Sequence, residues 1–268
     1  MILLQTDIPS YLDAYHVILF LFIGLIVGFL SGLLGKGGSA MTTPALQIFA
    51  GVSPFLALAS PLPSSLTNSL SGTLAYRKEN MINKRVVITT IVLGIPATVG
   101  GSLLSPLIGG QLLMILTALF VCGLGVSFVA ARLVRQKPTE MLAAVRPPGW
   151  KIVCIALLVG GLSGLLANGG GVLFAPLYIR WLKMPTKQAM ASSMLVAGGL
   201  ALPGTLTHWM LGHIDWWIVL WLSLASVPSA YLGARVAINL KNEVLELIFG
   251  AMLCLFGLYD LAYTLFLA

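Results

Sequence analysis

Two glycine-rich breaks, GKGGS at 35–39 and ANGGG at 167–171, are the places where this sequence is best equipped to hold a ligand. Each ends a long apolar run and opens a short one with an internal proline, Pro44 or Pro176. Glycines leave backbone N–H groups bare where the next helix begins, and the helix dipole is positive there, so the chemistry on offer is the binding of a small anion. Lys36 adds a full charge inside the first break, where the second carries the neutral Asn168. An intramembrane charge is a functional signal by default, with snorkelling to the surface as the alternative. The candidate substrate-binding set is therefore Lys36, Gly37, Gly38 and Ser39 with Asn168, Gly169, Gly170 and Gly171. Close helix packing competes with this reading, since Gly28/Gly32 and Gly160/Gly164 have the small-xxx-small spacing.

Small polar side chains form a second cluster: Ser60, Ser64, Ser65, Thr67, Asn68 and Ser69, then Ser192 and Ser193. Such donors can replace water around an oxyanion, although Ser and Thr equally bond back to their own helix. Only the matched pair Ser60 and Ser192 joins the candidate set. His208, His213 and Asp215 in HWMLGHID have a loose metal-like spacing, but Trp209, Trp216 and Trp217 make a wet interfacial turn the better reading. Of the eight carboxylates, six lie in ends or loops, and Glu246 and Asp260 each fall within two helical turns of a membrane face. No HExxH or GxSxG occurs, and Cys122, Cys154 and Cys254 sit in apolar runs without CxxC spacing. Catalysis, a metal centre, a disulfide framework and a cofactor are all without support.

The elements that must carry these residues are membrane helices. Of 268 residues 58% are hydrophobic and 9% charged, and the mean hydropathy is +0.99. Fifteen Lys/Arg and eight Asp/Glu cannot cover a soluble protein of this size. The basic excess of seven sits in short stretches beside apolar runs, which argues for a membrane surface and against nucleic acid. Eight runs are long enough to span, at 15–35, 54–76, 86–108, 110–131, 149–167, 187–210, 216–237 and 243–267. Two short ones, 38–50 and 170–182, reach only about 20 Å each. The first run follows MILLQTDIPSYLDAY, which lacks a basic leader region, so it reads as a retained span.

Sliding the chain by 132 places GFLSGLLGKGG (28–38) on GGLSGLLANGG (160–170). Without a gap, Pro44 then falls on Pro176, Ala59-Ser60 on Ala191-Ser192, Gly72-Thr73-Leu74 on Gly204-Thr205-Leu206 and Pro96 on Pro228. The chain is a duplication. Its halves are 15–131 and 149–267, joined by a Pro-rich basic linker at 132–148. If all five segments of each half cross, 14 of the 15 basic residues share one face. Positive charge marks the cytoplasmic side, so both termini are expected outside. An odd number of crossings inverts the second half. The predicted fold is thus an all-α polytopic membrane protein of two inverted repeats, each with four long helices and one short or broken helix.

At these residues the chain resembles the sulfite exporter TauE/SafE family, also called the sulfonate uptake permease family. The shared pattern is a glycine break followed by a proline, then an Ala-x-x-Ser stretch and a Gly-x-Ile-Asp/Asn turn. Here it stands as GKGGS with Pro44, LASP (58–61) and NMIN (80–83), and again as ANGGG with Pro176, MASS (190–193) and GHID (212–215). The resemblance implies a multi-pass inner-membrane transporter of small sulfur-containing anions. We expect a secondary transporter working as an exporter, the anion held between the two breaks at the membrane midplane. An anion channel is the alternative, and an intramembrane enzyme is disfavoured. The expected partners are a small anionic substrate and the lipid bilayer, with a homodimer left open.

Overall fold

A computed structural model describes residues 13–35, 39–108, 147–166 and 171–266, with single positions between 112 and 126. The described residues form ten helices and no strand: α1 (Ala14–Leu34), α2 (Ser39–Ala50), α3 (Pro54–Ala59), α4 (Pro61–Lys78), α5 (Lys84–Ile108), α6 (Gly149–Leu165), α7 (Gly171–Arg180), α8 (Thr186–Met210), α9 (Trp216–Asn239) and α10 (Asn242–Phe266). Among them α1, α5, α8 and α9 are long and apolar enough to cross a membrane. Their outer faces expose residues such as Ile18, Phe22, Val92 and Leu224, as a lipid-facing surface does. The protein is an all-α polytopic membrane protein. Most of the linker and of the run at 110–131 lies outside the described residues.

The run expected over 54–76 is divided at Ser60. Pro61 has no N–H to give the carbonyl of Ala57, so α3 stops and α4 starts afresh. α4 is also unlike its neighbours in chemistry. It carries Ser64, Ser65, Asn68, Ser69 and Thr73 on buried positions, while Leu70 and Leu74 are exposed on its outer face.

The 132-residue offset relates α4 to α8, and their contacts reveal how the halves are arranged. Leu62 lies by Gly204, Ser69 by Gly198 and Gly72 by Met194. Numbers rise on one helix as they fall on the other, so these equivalent helices are antiparallel. A two-fold axis relating two antiparallel helices is perpendicular to both, and for spanning helices it lies in the membrane plane. The repeats are inverted, as an odd number of crossings requires.

Each first helix packs chiefly on a long helix of the other half. α1 runs parallel to α9, with Gly24 beside Leu222 and Gly32 against Ala230, while α6 runs parallel to α5, with Gly160 beside Gly94 and Gly164 against Thr98. A methyl group added at Gly160 would stand 2.9 Å from the Gly94 carbonyl oxygen. The small-xxx-small spacing is thus used for packing, and backbones meet where no side chain fits.

The short helices lie on the return path. Ser60 is bonded to Asp215 at the start of α9, and α9 runs level with α1. By Ser60 the chain has therefore returned from the end of α1 to the level where α1 begins. α2, of 12 residues, spans about 18 Å of that return.

Candidate functional site

Ser60 and Ser192, the symmetric pair, each reach into the opposite half. The Ser60 hydroxyl oxygen accepts the N–H of Asp215 at 2.9 Å, and that of Ser192 accepts the N–H of Asn83 at 3.0 Å. Asn83 and Asp215 are themselves 132 residues apart, so these are two copies of one bond. Each partner residue then opens a helix. The Asp215 carboxylate accepts the N–H groups of Trp217 (2.8 Å) and Ile218 (3.4 Å), and the Asn83 amide oxygen accepts that of Val86 at 3.3 Å. A hydroxyl that accepts one N–H keeps a proton it can donate, so the clasp and a ligand contact are compatible uses of the same group.

A second matched pair closes the first helices onto the cores. The Tyr76 hydroxyl donates to the Gly32 carbonyl at 3.0 Å, and His208 Nε2 lies 3.2 Å from the Gly164 carbonyl. Tyr76 and His208 are equivalent positions, as are Gly32 and Gly164. The pattern extends to turn geometry: Asn80 (φ 53°) matches Gly212 (φ 74°), and Gly51 (φ 62°) matches Lys183 (φ 56°). Two non-glycine residues accept the left-handed region because the fold requires it in both copies.

His208 differs from the wet turn expected of it. It is buried, 2% exposed, near the end of α8, while Trp209 and Trp216 meet edge to face on the outside. Its Nδ1 is 3.2 Å from Nδ1 of His213, whose ring stacks on Phe55. A carbonyl only accepts, so His208 carries its proton on Nε2 and receives the N–H of His213 at Nδ1. Burial lowers the pKa of His213 below its usual 6.5. No group of three or more metal-ligating side chains occurs among the described residues.

Of the break residues, Lys36, Gly37, Gly38, Asn168, Gly169 and Gly170 lie outside the described residues. Ser39 and Gly171 open α2 and α7. The flanks are clear. Gly35 ends α1 in the left-handed conformation (φ 63°), pressed on the Met190 backbone, and its carbonyl accepts the Ser193 hydroxyl at 2.6 Å. The second break follows Gly164 and Leu166, beside His208 and Leu62. Met190 and His208 are 18 residues apart on α8, about 27 Å along its axis. The flanks of the two breaks thus stand near opposite ends of the α4–α8 pair.

Sequence reasoning selected Ser60 and Ser192 without their partners. Asn83 and Asp215 stand matched as the last residues of NMIN and GHID, but nothing local ties them to the serines, and Tyr76/His208 escaped as a pair because the residue types differ between copies.

Inverted halves clasped by crossed hydrogen bonds, with a glycine break in each, define a polytopic membrane protein of the transporter class. The chain belongs to the sulfite exporter TauE/SafE family, whose model matches residues 20–259. It is 28% identical over 239 residues to a "Probable membrane transporter protein" of Xylella fastidiosa, covering 88% of this chain and 91% of that one. It is 26% identical over 243 residues to the "Probable membrane transporter protein YunE" of Bacillus subtilis, covering 82% and 88%. A 22% identity over 258 residues links it to the "Probable membrane transporter protein MJ0441" of Methanocaldococcus jannaschii. No solved structure matches the chain.

Proposed function

We propose that this protein is a secondary transporter that exports small sulfur-containing anions, such as sulfite or an organosulfonate, across the inner membrane. The observation that carries the proposal is the antiparallel pairing of α4 with α8 on the axis between the halves, with a glycine break flanking each end. Two inverted halves around one path can open alternately to either side by rocking. In this reading the anion is received by Lys36 and the N–H groups of Gly37 and Gly38 with Ser39 at one break, and by Asn168, Gly169, Gly170 and Gly171 at the other. Ser60 and Ser192 contribute from the clasps.

The contacts of the basic residues support a cytoplasmic placement of one end. Arg85 lies 4.0 Å from where a Gly149 side chain would begin, Lys151 donates to the Trp181 carbonyl at 3.4 Å, and Lys187 donates to that of Ile238 at 2.6 Å. These contacts draw the basic ends of α5 to α9 together, and in our reading they face the cytoplasm with the linker while both termini face outward. With the cytoplasm negative, outward movement of one negative charge gains about 2.3 kcal/mol per 100 mV, so no partner ion is needed.

The test is flux of ³⁵S-labelled sulfite, sulfate and taurine from proteoliposomes. Saturable efflux of at least one anion supports the transporter. Single-channel currents replace it by the channel reading, and no flux of any sulfur anion refutes the substrate class.

A further inference from the structure

Between the two breaks, at the middle of α4, three polar side chains are buried without a partner. Asn68 Oδ1, Ser69 Oγ and Thr73 Oγ1 make no hydrogen bond, although these residues are only 3%, 0% and 7% exposed. Their neighbours are satisfied: Ser64 donates to the Pro61 carbonyl, Thr67 to that of Ser64, and Ser71 to that of Val227 on α9. A buried hydroxyl with no partner is unfavourable and rare in a native fold, more so where no water is at hand. Packing does not require an amide at 68 or a hydroxyl at 69 either, whereas Thr73 is matched by Thr205, whose hydroxyl is unpartnered too. The positions equivalent to Asn68 and Ser69 in the other half are Leu200 and Ala201, both buried on α8.

The stripe has a defined place. Ser69 faces α8 at Gly198, where an added methyl would come within 2.8 Å of its Cβ, and Gly72 one turn on faces Met194 of α8 and the Ala230 carbonyl of α9. Ser69 is the ninth of the 18 residues of α4, and the seam it lines is the one that lies on the two-fold axis. Alternate opening of the halves must part this seam.

We propose that Asn68, Ser69 and Thr73 form a mid-path station, where a small oxyanion that has left one break is held by uncharged donors before it meets the other. The two hydroxyls donate directly, and a half-turn of the Asn68 amide presents its NH₂ in place of its oxygen. No cation lies among these residues, so the anion is held weakly and leaves readily, which is what a site of passage needs. The station rests on the transporter reading, since its ligand is the anion in transit.

Cysteine accessibility tests it. In a chain with C122S, C154S and C254S, Ser69→Cys is exposed in membrane vesicles to a small anionic methanethiosulfonate, with the lipid-facing Leu70→Cys as control. The station predicts that the cysteine at 69 reacts and that at 70 does not. No reaction at 69, or equal reaction at both, overturns it. A second arm uses the double variant S69A/T73V, which removes the unpartnered hydroxyls at nearly constant shape. ³⁵S-sulfite efflux should fall at least tenfold while the melting temperature holds or rises. Unchanged efflux, or a melting temperature that falls with it, also overturns the station. If the parent protein carries no sulfur anion at all, the proposed function fails, and the labelling at 69 still decides whether the seam opens to anions.

Discussion

The halves of this molecule share a backbone and divide their chemistry. Gly32 and Gly164 accept equivalent bonds, yet the donor is Tyr76 in one half and His208 in the other. Ser60 and Ser192 make equivalent clasps, but to Asp215 at one face and Asn83 at the other. α4 is polar at its centre where α8 is apolar. What the inverted architecture needs from both copies is a set of backbone positions and one hydroxyl, and those are identical. Where the copies differ, the fold leaves the side chain free for other work, and the difference points to the path.

The largest effects should come from the shared backbone contacts. Gly164→Val places a side chain into the Thr98 carbonyl, and Gly32→Val does the same at Ala230. Separating two packed helices should cost more than about 3 kcal/mol, the range of severe overpacking. Fluorescence-detected gel filtration should find neither variant as a monodisperse species. Gly100→Ala, where nothing lies within 4 Å, should behave as the parent does. A folded Gly164→Val protein would break the symmetry argument.

The clasps come next, and here the comparison is quantitative. Ser60→Ala and Ser192→Ala each leave a partly buried turn N–H without its partner, which costs about 1 kcal/mol. Thermal unfolding in detergent should show two similar falls in melting temperature. A large fall for one and none for the other would mean that only one clasp is structural.

Tyr76→Phe removes one hydrogen bond and keeps the ring, so a similar loss of about 1 kcal/mol is expected. The same melting assay reads it, and a loss well above that of a clasp variant would mean the ring also shifts.

The smallest effect concerns pH, and only the GHID half should show it. Burial lowers the pKa of His213 in the folded protein, so folding favours its neutral form. That contribution is complete above the unfolded value of 6.5 and is lost as pH falls below it toward the folded pKa. Melting temperatures should therefore decline between pH 7 and pH 5 in the parent and decline less in His213→Gln. Identical slopes would exclude His213 as the source.

Much of this was legible from residue spacing. The 132-residue offset disclosed the duplication, and the placement of Lys and Arg along the chain disclosed the inversion before any contact was known. The split at Ser60 was also open to reading, because Pro61 and Pro63 follow it. Other features were not. Ser60 and Asp215 are 155 residues apart and Ser192 and Asn83 are 109, and no local pattern pairs them. The burial of His208 depends on α6 reaching it, a tertiary fact that the tryptophans around it concealed. The stripe on α4 stood out as a polar run, but Asn68, Ser69 and Thr73 were separable from Ser64 and Thr67 only once the bonds of each were known.

The central proposal is that an anion is carried outward through the inverted pair by the membrane potential alone. Efflux of ³⁵S-sulfite from proteoliposomes under a potassium-diffusion potential, without a pH gradient, tests it most directly. Efflux should be saturable and should accelerate as the interior is made more negative. Efflux that ignores the potential and follows only an imposed proton gradient would contradict it.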